Sequence, residues 1–496
     1  MHDIKPLALG LLASWPVILT LVGVVFALAG CGEPPASATA IIEGPFEEPL
    51  AVPPVVAGST YPTLVAQETD VALLNGRRTK VYGYHAGILG PTITANTGDT
   101  VQVRLENKLG QKTNVHWHGV NVPPGMDGYP DQVIAPQSAL EFALPIEVRA
   151  GTYWYHPHAL GLAAHQVVHG LAGFFIVHDD EDAALGLPSG EQDIAFVIQD
   201  KRFESDGEVA YAPNPEEVMS GYFGPYLFVN GVYSPVRSVA TRWYRMRMLN
   251  GSNARVYNLA LSDGAAFYVI GSDGGLIERP ESVDTLLLGP SERAEVLVNF
   301  SSYRVGAEVY LVSLPFDGGG VQGHDTFRIM KFLVERTERD AFRLPAVLSR
   351  SVPHPFDSVV KTRRFDIAGM HEMAEHAGHD MGASGMHTIN QKTFDLERID
   401  EHVRVGSTEI WEFDNAGGNE IHPMHIHGAA FRVFDRIGGR GALTATERGV
   451  KDTVLVIPGE KVRVLVTFSA HPGKFVFHCH NLEHEEDGMM LNYKSS

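Results

Sequence analysis

Four His-x-His pairs constrain the fold of this chain more than any other feature of its sequence. The pairs are His116/His118, His156/His158, His425/His427 and His478/His480. A chain of 496 residues with 23 histidines would contain roughly one such pair by chance. On a β-strand, residues i and i+2 point to the same side, so each pair presents two imidazoles to one point. Imidazole binds copper, zinc, iron and nickel, and eight converging imidazoles exceed the coordination sphere of one ion. The pairs therefore predict a metal cluster.

The rest of the sequence predicts an all-β protein. Short alternating stretches, such as Thr100–Leu105 and Lys461–Val466, are separated by Gly, Pro, Asn and Asp. Alternation with a period of two predicts half-buried strands of a sandwich. The formal net charge of −20 argues against nucleic-acid binding, because an acidic protein repels the phosphate backbone.

One pattern of strands recurs along the chain. Gly98, Thr241 and Gly406 each begin an alternating strand that ends at an asparagine, and a proline and a second strand follow. The repeats are about 140 to 170 residues apart, which predicts three copies of one domain. We predict domains at 59–180, 188–340 and 390–496, with a strand-free linker at 343–389. The middle domain carries no recognised ligands and is predicted to be a spacer.

The N-terminal residues predict export. Residues 7–30 contain no charged side chain and end in Leu28-Ala29-Gly30-Cys31. This pattern is typical of a lipoprotein-type signal peptide at 1–30, with Cys31 lipid-modified after cleavage. Gly32 favours an outer-membrane destination, so we expect a periplasmic lipoprotein anchored to a membrane by its lipid. An uncleaved membrane helix is the alternative. The Pro-, Ala- and Ser-rich stretch 31–58 predicts a tether.

The last histidine pair encloses a cysteine. If the two histidines face the cluster, Cys479 faces the other side of the strand and can bind a second metal. His422 and His484 are candidate imidazole ligands, and Met489 is a candidate thioether. Two imidazoles, a thiolate and a weak thioether form a blue-copper electron-transfer site. Spacing alone also allows Met490 as the thioether, or a core-packing role for either methionine.

These motifs resemble the four copper motifs of the multicopper oxidases, in the order of that family. They are His116–Gly119, Trp154–His158, His422–Gly428 and His478–His484. The resemblance implies three tandem cupredoxin-like Greek-key β-sandwich domains. It also implies four copper ions, one of type 1, one of type 2 and two of type 3. The type 2 and type 3 ions would form a trinuclear cluster between the first and third domains.

The resemblance assigns the copper ligands residue by residue. It implies that His422, Cys479 and His484 hold the type 1 copper, with Met489 as the axial ligand. The other eight histidines would hold the trinuclear cluster. Those of the type 2 copper are His116 and His425, and those of the type 3 pair are His118, His156, His158, His427, His478 and His480. Three further histidines fit no ligand position of the second motif, namely His165, His169 and His178.

Two acidic residues are predicted to carry protons. Reducing O₂ to water consumes protons, and carboxylates near the cluster are natural carriers. Asp127 lies nine residues after His118, and Glu485 directly follows His484. Both positions resemble those of acidic residues that assist oxygen reduction in the family. The alternative is that each is a turn or surface acid.

The predicted linker is rich in soft metal ligands. Its residues 369–387 contain Met370, Met373, Met381 and Met386, together with the four histidines His371, His376, His379 and His387. Thioethers select Cu(I), and the segment resembles the Met-rich insert of the cuprous oxidases of bacterial copper tolerance. That branch carries an Asp and a Met just before the first type 1 ligand, whereas here Gly417–Ile421 offers only the carboxylate of Glu420. A solvent-exposed linker or lid is the alternative interpretation.

The favoured hypothesis is a membrane-tethered multicopper oxidase that oxidises Cu(I) and reduces O₂ to water in copper tolerance. The main alternative is a laccase-like enzyme that oxidises phenols or aromatic amines. Less favoured are a non-catalytic copper-binding lipoprotein, an envelope protein that has lost its metals, and a copper nitrite reductase. The unbroken ligand motifs argue against these last hypotheses.

Overall fold

Alternating strands pair into three successive sandwiches across the ranges that the computed structural model describes, which are residues 39–74, 76–350, 358–369, 387–468 and 471–496. Short 3-10 helices lie between strands at Gly58–Thr60, Pro124–Met126, Gly190–Gln192, Gly320–Gln322 and Thr446–Arg448. The period-two alternation thus correctly predicted an all-β protein.

The first sandwich contains the first two His-x-His pairs. Its strands are β1 (Val55–Ala57), β2 (Thr63–Ala72), β3 (Arg78–Gly83), β4 (Thr92–Asn96), β5 (Thr100–Asn107), β6 (His116–His118), β7 (Ala139–Pro145), β8 (Gly151–His156) and β9 (Gly173–His178). One sheet has the order β1-β4-β9-β8-β6 and the other β3-β2-β5-β7. Trp117, Phe142 and Phe175 belong to the core between them. Helices α1 (Ala163–His169) and α2 (Asp180–Ala184) flank β9 in the chain.

The second sandwich is the largest. Its strands are β10 (Asp193–Lys201), β11 (Tyr226–Val229), β12 (Val232–Tyr233), β13 (Val236–Ala240), β14 (Trp243–Asn250), β15 (Tyr257–Leu261), β16 (Phe267–Ser272), β17 (Gly275–Val283), β18 (Leu286–Leu288), β19 (Arg293–Asn299), β20 (Glu308–Ser313) and β21 (Phe327–Arg336). The sheets have the orders β12-β11-β10-β14-β19-β16-β17 and β13-β21-β20-β15-β18. Helix α3 (Pro215–Ser220) begins at a capping box in which the Asn214 side chain accepts from the Glu217 backbone.

The third sandwich contains the other two pairs. Its strands are β22 (Val359–Gly369), β23 (His387–Ile389), β24 (Glu401–Val403), β25 (Thr408–Asn415), β26 (His422–Ile426), β27 (Ala429–Gly438), β28 (Thr453–Val456), β29 (Glu460–Phe468), β30 (Gly473–Cys479) and β31 (Met490–Ser495). The sheets have the orders β23-β22-β25-β29-β27 and β24-β31-β30-β26-β28. Helix α4 (Leu482–Glu486) directly follows the last histidine pair.

The prediction that residues 343–389 lack strands is wrong at β22 and β23. Strand β22 pairs in parallel with β25, and it buries Phe365 and Ile367 in the core of the third sandwich. The sheet therefore begins before the predicted boundary at residue 390. Gly369 of β22 pairs with His387 of β23. The four methionines predicted to bind substrate copper, at positions 370, 373, 381 and 386, lie outside the described residues.

Part of the predicted tether is packed onto the protein. Strand β1 pairs in parallel with β4, and Leu50 belongs to the core of the second sandwich. The carbonyl of Thr39 accepts a hydrogen bond from the buried Arg255 side chain. Residues 1–38, which include the predicted signal peptide and Cys31, lie outside the described residues. Among the residues that are described, no helix has the length and apolar character needed to cross a bilayer.

A buried network of ion pairs joins the second sandwich to the third. Lys451 is fully buried, and its Nζ lies 3.0 Å from Asp273 Oδ2 and 3.1 Å from Glu292 Oε1. Beside it, Arg293 Nη1 donates to Asp452 Oδ1 over 2.8 Å. Buried charges are tolerated only when each has a close partner. The network therefore fixes how the two sandwiches meet beside the histidine pairs.

We expect Lys451→Met to destabilise the protein strongly. The substitution leaves the carboxylates of Asp273 and Glu292 buried without their shared cation, which costs about 3–5 kcal/mol. Thermal and urea unfolding of the variant measure this cost. Lys80→Met is the control, because Lys80 is exposed and pairs with Glu68 at 3.4 Å, an interaction worth about 0–1 kcal/mol. Equal unfolding midpoints for the two variants would contradict the structural role of the network.

Candidate metal centres

Strand pairing brings all four His-x-His pairs to one place, which we call the histidine cluster. In the first sandwich, His116 lies opposite His156 in the antiparallel pair of β6 and β8. In the third, His425 lies opposite His478 in the pair of β26 and β30. All eight imidazoles are buried, at most 1% exposed. Close contacts between rings of different sandwiches show that the two sets face each other.

The eight rings divide into groups with converging nitrogen atoms. One group joins the sandwiches through His116 and His425, whose Nε2 atoms are 3.4 Å apart. In a second group, His478 Nε2 lies 3.1 Å from His427 Nε2 and 3.2 Å from His158 Nε2. The third group consists of His118, His156 and His480. His118 Nδ1 lies 3.3 Å from His156 Nε2. The ring centroid of His480 lies 5.2 Å from that of His118 and 5.1 Å from that of His156. The structure thus places every predicted cluster ligand together, while the binding of copper by each stays a prediction.

Hydrogen bonds on the outer nitrogens fix how several rings face inward. His116 Nδ1 donates to the carbonyl of Asp127 over 2.7 Å. His427 Nδ1 lies 2.7 Å from Asp127 Oδ2. His118 has the opposite ring orientation: its Nδ1, rather than its Nε2, faces the cluster. Its outer Nε2 lies 2.9 Å from Asp452 Oδ1. Such bonds set the tautomer and leave a lone pair on the inner nitrogen, as metal ligands require.

The chemistry of the cluster fits metal ions. Burial lowers the pKa of His158 to about 4 and that of His480 to about 3, so these two rings are neutral near pH 7. Neither ring nitrogen of His480 has a hydrogen-bond partner in the described part of the chain. Buried polar groups normally have partners. Neutral imidazoles with inward lone pairs are the donor set that suits copper.

The two predicted proton carriers both lie in the cluster. Asp127 is buried between His116 and His427, and burial raises its pKa to about 8. Glu485 Oε2 lies 3.1 Å from His478 Nδ1, and Oε1 lies 3.6 Å from His158 Nε2. Burial alone would raise the pKa of Glu485, but the surrounding imidazoles lower it to about 2. Neither carboxylate is a surface acid.

Asp452 is a residue of the cluster that the sequence did not predict. Its side chain contacts His118, and its backbone carbonyl accepts a hydrogen bond of 2.8 Å from His425 Nδ1. Burial raises the pKa of Asp452, an effect that the cation of Arg293 opposes. No motif marks this aspartate, because it directly precedes β28 of the third sandwich and meets His118 only where the first and third sandwiches pack together.

A second ligand set, the single-metal site, lies behind the cluster. It consists of His422, Cys479 and His484. Cys479 Sγ is 3.5 Å from His422 Nδ1 and 3.6 Å from His484 Nδ1, and the two nitrogens are 3.2 Å apart. All three side chains are fully buried, and burial raises the pKa of the Cys479 thiol. A metal ion fits this set because it stabilises the thiolate that burial opposes.

The two candidate thioether ligands, Met489 and Met490, pack in different hydrophobic clusters. Met489 is fully buried in the same core cluster as Cys479, and the Cys479 backbone donates to the carbonyl of Met489. Met490 packs in a different cluster with Tyr129 and Val476. The structure therefore favours Met489 over Met490 as the thioether near the single-metal site.

The second sandwich contacts the single-metal site. His484 Nε2 donates to the carbonyl of Met219, at the end of α3, over 2.8 Å. The neighbouring Glu483 accepts hydrogen bonds from Asn253 Nδ2 and from the Tyr222 backbone. The sequence predicted a spacer here, and it carried no signal for a backbone carbonyl that orients a ligand.

Glu420 lies in an exposed loop that leads to His422. Its side chain is half-buried, and burial raises its pKa to about 7. The backbone carbonyl of Glu420 accepts a hydrogen bond from Asn415. Its role as a substrate-copper ligand stays a prediction.

A cavity of about 280 Å³ reaches the histidine cluster. Its wall includes His116, His425 and His427, and Gly274 of the second sandwich also lines it. Since one water occupies about 30 Å³ in the liquid, the cavity can hold several small molecules beside the rings.

Comparisons with known proteins agree with this geometry. Profiles of multicopper oxidase domains match residues 65–182 and 364–496. The chain is 32% identical to a multicopper oxidase of Staphylococcus epidermidis, over 87% of this chain and 88% of that protein.

Solved structures are similar over most of the chain. A laccase-like multi-copper oxidase CueO from Ochrobactrum sp. has a TM-score of 0.80 and 34% identity, covering 90% of this chain and all of that one (100%). A Campylobacter jejuni multicopper oxidase described as a metallo-oxidase has a TM-score of 0.77 and 29% identity, covering 92% and 96%. These likenesses confirm the predicted fold class of tandem cupredoxin-like sandwiches.

We expect His427→Ala to weaken metal binding and His178→Ala to leave it unchanged. Losing one inward imidazole should weaken binding by at least about tenfold, or 1.4 kcal/mol. The rise in unfolding temperature on adding copper measures this, because a bound ion stabilises the native state. His178 is a matched control, since it pairs with Asp182 at 3.5 Å away from the cluster. An equal rise for both variants would exclude His427 as a ligand.

Proposed function

The chain belongs to the multicopper oxidase family, and we propose that it oxidises Cu(I) at a type 1 copper and reduces O₂ to water at a trinuclear cluster. The proposal assigns the type 1 copper to the single-metal site. It assigns one type 2 and two type 3 coppers to the histidine cluster. The physiological role would be copper tolerance.

One observation carries this proposal, which is that a single strand connects the two sites. Cys479 lies in the single-metal site, while its neighbours His478 and His480 lie in the histidine cluster. Electrons received singly at one site would therefore reach the other through a few covalent bonds. When bound, copper ions supply the one-electron chemistry of both sites.

The chain's own residues would orient ligands, exclude water and hold protons. Hydrogen bonds from His116 and His427 to Asp127 keep their inner nitrogens directed at the cluster. Asp127, whose pKa burial raises to about 8, can hold a proton at Oδ1. The ionised carboxylate of Glu485 can accept a proton at Oε2, beside His478 Nδ1, and pass it on. The cavity beside His425 would admit O₂ and release water.

Three observations support Cu(I) as the reductant. The thioethers of residues 370–387 are soft ligands that select Cu(I), and the imidazoles of the same segment also bind copper. Gly369 and His387 pair in register, so the segment leaves and rejoins the sheet at adjacent positions. The metallo-oxidase from Campylobacter jejuni is a similar structure. Laccase-like oxidation of phenols is the second candidate, because the Ochrobactrum structure is described as an oxidase of lignin model compounds.

We further propose that the protein acts outside the cytoplasm as a periplasmic lipoprotein. Support comes from the apolar run at 7–30 and its Leu-Ala-Gly-Cys ending at Cys31. Metabolic labelling with a radioactive fatty acid, compared between the native chain and Cys31→Ser, tests this placement. Label in both proteins, or in neither, would contradict it.

We expect removal of residues 370–386 to reduce oxidation of Cu(I) but not of a simple phenol. Because Gly369 pairs with His387, a two-residue Asn-Gly turn can close the hairpin without disturbing the sheet. Oxygen uptake by the copper-loaded protein is measured with each reductant. The expected loss in kcat/KM for Cu(I) is about tenfold or more, which is about 1.4 kcal/mol of transition-state stabilisation.

The same comparison separates the candidate functions. Fast uptake with a phenol and little response to Cu(I) in the intact protein would move the function to a laccase. Full copper loading without uptake from either reductant would support the non-catalytic copper-binding protein. Equal losses with both reductants would indicate damage to the single-metal site rather than loss of a Cu(I) site.

We expect Glu485→Gln to slow oxygen reduction while copper stays bound. The amide keeps the size of the side chain but cannot deliver a proton, and general acid–base catalysis contributes about 10²–10⁴-fold. Reoxidation of the reduced protein by O₂ is followed by stopped-flow absorbance. Glu397→Gln is the control because Glu397 is exposed. Reoxidation at the same rate in both variants would rule out Glu485 as a proton carrier.

A further inference from the structure

His387 is a buried histidine that lies against the single-metal site without being one of its predicted ligands. Its ring stacks on the ring of His484, with centroids 3.8 Å apart and planes 18° apart. The centroid of His422 lies 6.3 Å away. His387 lies at the end of the Met/His-rich linker predicted at 343–389, and it belongs to none of the four copper motifs identified in the sequence.

Asp487 holds the His387 ring in place. Its Oδ2 accepts a hydrogen bond of 2.8 Å from the His387 backbone and lies 3.1 Å from His387 Nδ1. Asp487 directly follows α4, and its backbone donates to the carbonyl of Glu483. The aspartate therefore connects His387 to the helix that carries His484.

Burial of the His387 ring is only partly compensated by hydrogen bonding. The ring is fully buried, and its Nε2 has no hydrogen-bond partner among the residues the structure describes, whereas its Nδ1 lies beside Asp487. Leaving a buried polar atom unpaired costs about 1–3 kcal/mol. The stacked position of the ring against His484 is therefore kept at some cost in stability.

Several neighbouring groups surround the His484 ring, including Asn481 Nδ2 at 3.1 Å from its Nε2. Its Nδ1 faces Cys479 and His422, its Nε2 donates to the Met219 carbonyl, and His387 covers one face. Groups outside the ligand set commonly determine the orientation of a ligand ring and the access of water to the metal. Parallel stacking of two rings also restrains rotation of either.

We propose that His387 is a positioning residue of the type 1 copper site. With Asp487, it holds the plane of the His484 imidazole and seals that face from water. The geometry of the site and the exclusion of water from it then determine the visible absorption and the reduction potential of the type 1 copper. This inference rests on the proposed function only in that a copper ion occupies the single-metal site.

The first test compares His387→Ala and His387→Phe in the copper-loaded protein. Visible absorption, electron paramagnetic resonance and the reduction potential of the type 1 copper are measured. We expect the alanine variant to lower the potential and shift the visible band, because water that reaches the site stabilises the more highly charged Cu(II). Phenylalanine keeps a stacked ring, so the potential and the visible band of that variant should lie close to those of the native protein.

The matched control is His402→Ala, a change to an exposed histidine of β24 in the same sandwich. Its spectra and potential should equal those of the native protein. A purely structural role for His387 would lower the unfolding temperature of the alanine variant without changing its spectra or potential. That result, or equal shifts in the alanine and phenylalanine variants, would overturn the proposal.

The second test needs no metal. In a Cys31→Ser background, Cys479 is the remaining cysteine of the chain, and its reaction with a water-soluble disulfide reagent reports exposure of the site. We expect Cys479 of the metal-free His387→Ala variant to react about tenfold faster, because without the covering ring the reagent reaches the site more often. An unchanged rate would contradict the sealing role. A native protein that binds no copper would instead defeat the proposed function, whatever this rate shows.

Discussion

The structure depends on the burial of eight imidazoles between two sandwiches that are distant in sequence. Hydrogen bonds on the outer nitrogens of His116, His118 and His427 turn the inner lone pairs of these rings toward the cluster. Lone pairs that face each other at about 3 Å repel unless a proton or a cation lies between them. Metal ions bound in the cluster would therefore stabilise the contact between the first and third sandwiches.

The second sandwich controls this contact although it contributes no predicted ligand. Its Arg293 pairs with Asp452, which in turn contacts His118 of the first sandwich. Its Met219 carbonyl orients His484 at the single-metal site. The middle domain is thus more than a spacer, because its charges and backbone hold ligands of both sites in their orientations.

Residues that lie close in sequence made most of the fold and the ligand set predictable. Period-two alternation identified strands, and the spacing of His478, Cys479 and His480 on one strand predicted ligands facing opposite sides, as the structure places them. Strand β22 was not predicted, because its alternation is limited to Phe365 and Ile367 and is too short to distinguish a strand from a loop. Its pairing with β25 supplied the missing evidence.

Other residues of the sites could not be predicted from the sequence for a physical reason. Asp452 acts through the packing of sandwiches, and Met219 acts through a backbone carbonyl that any residue possesses. His387 is brought to His484 by the return of the chain at β23. Local spacing predicts which side chains share a strand face. It does not predict which element, distant in sequence, packs against that face.

Anomalous diffraction from crystals of the copper-loaded protein tests the central claim most directly. The account predicts one copper ion bound by His422, Cys479 and His484. It predicts further copper within the histidine cluster, in the groups that contain His116, His156 and His478. Copper confined to the single-metal site, or bound only at surface histidines, would contradict the account, because the eight buried imidazoles would then lack the ions that explain their arrangement.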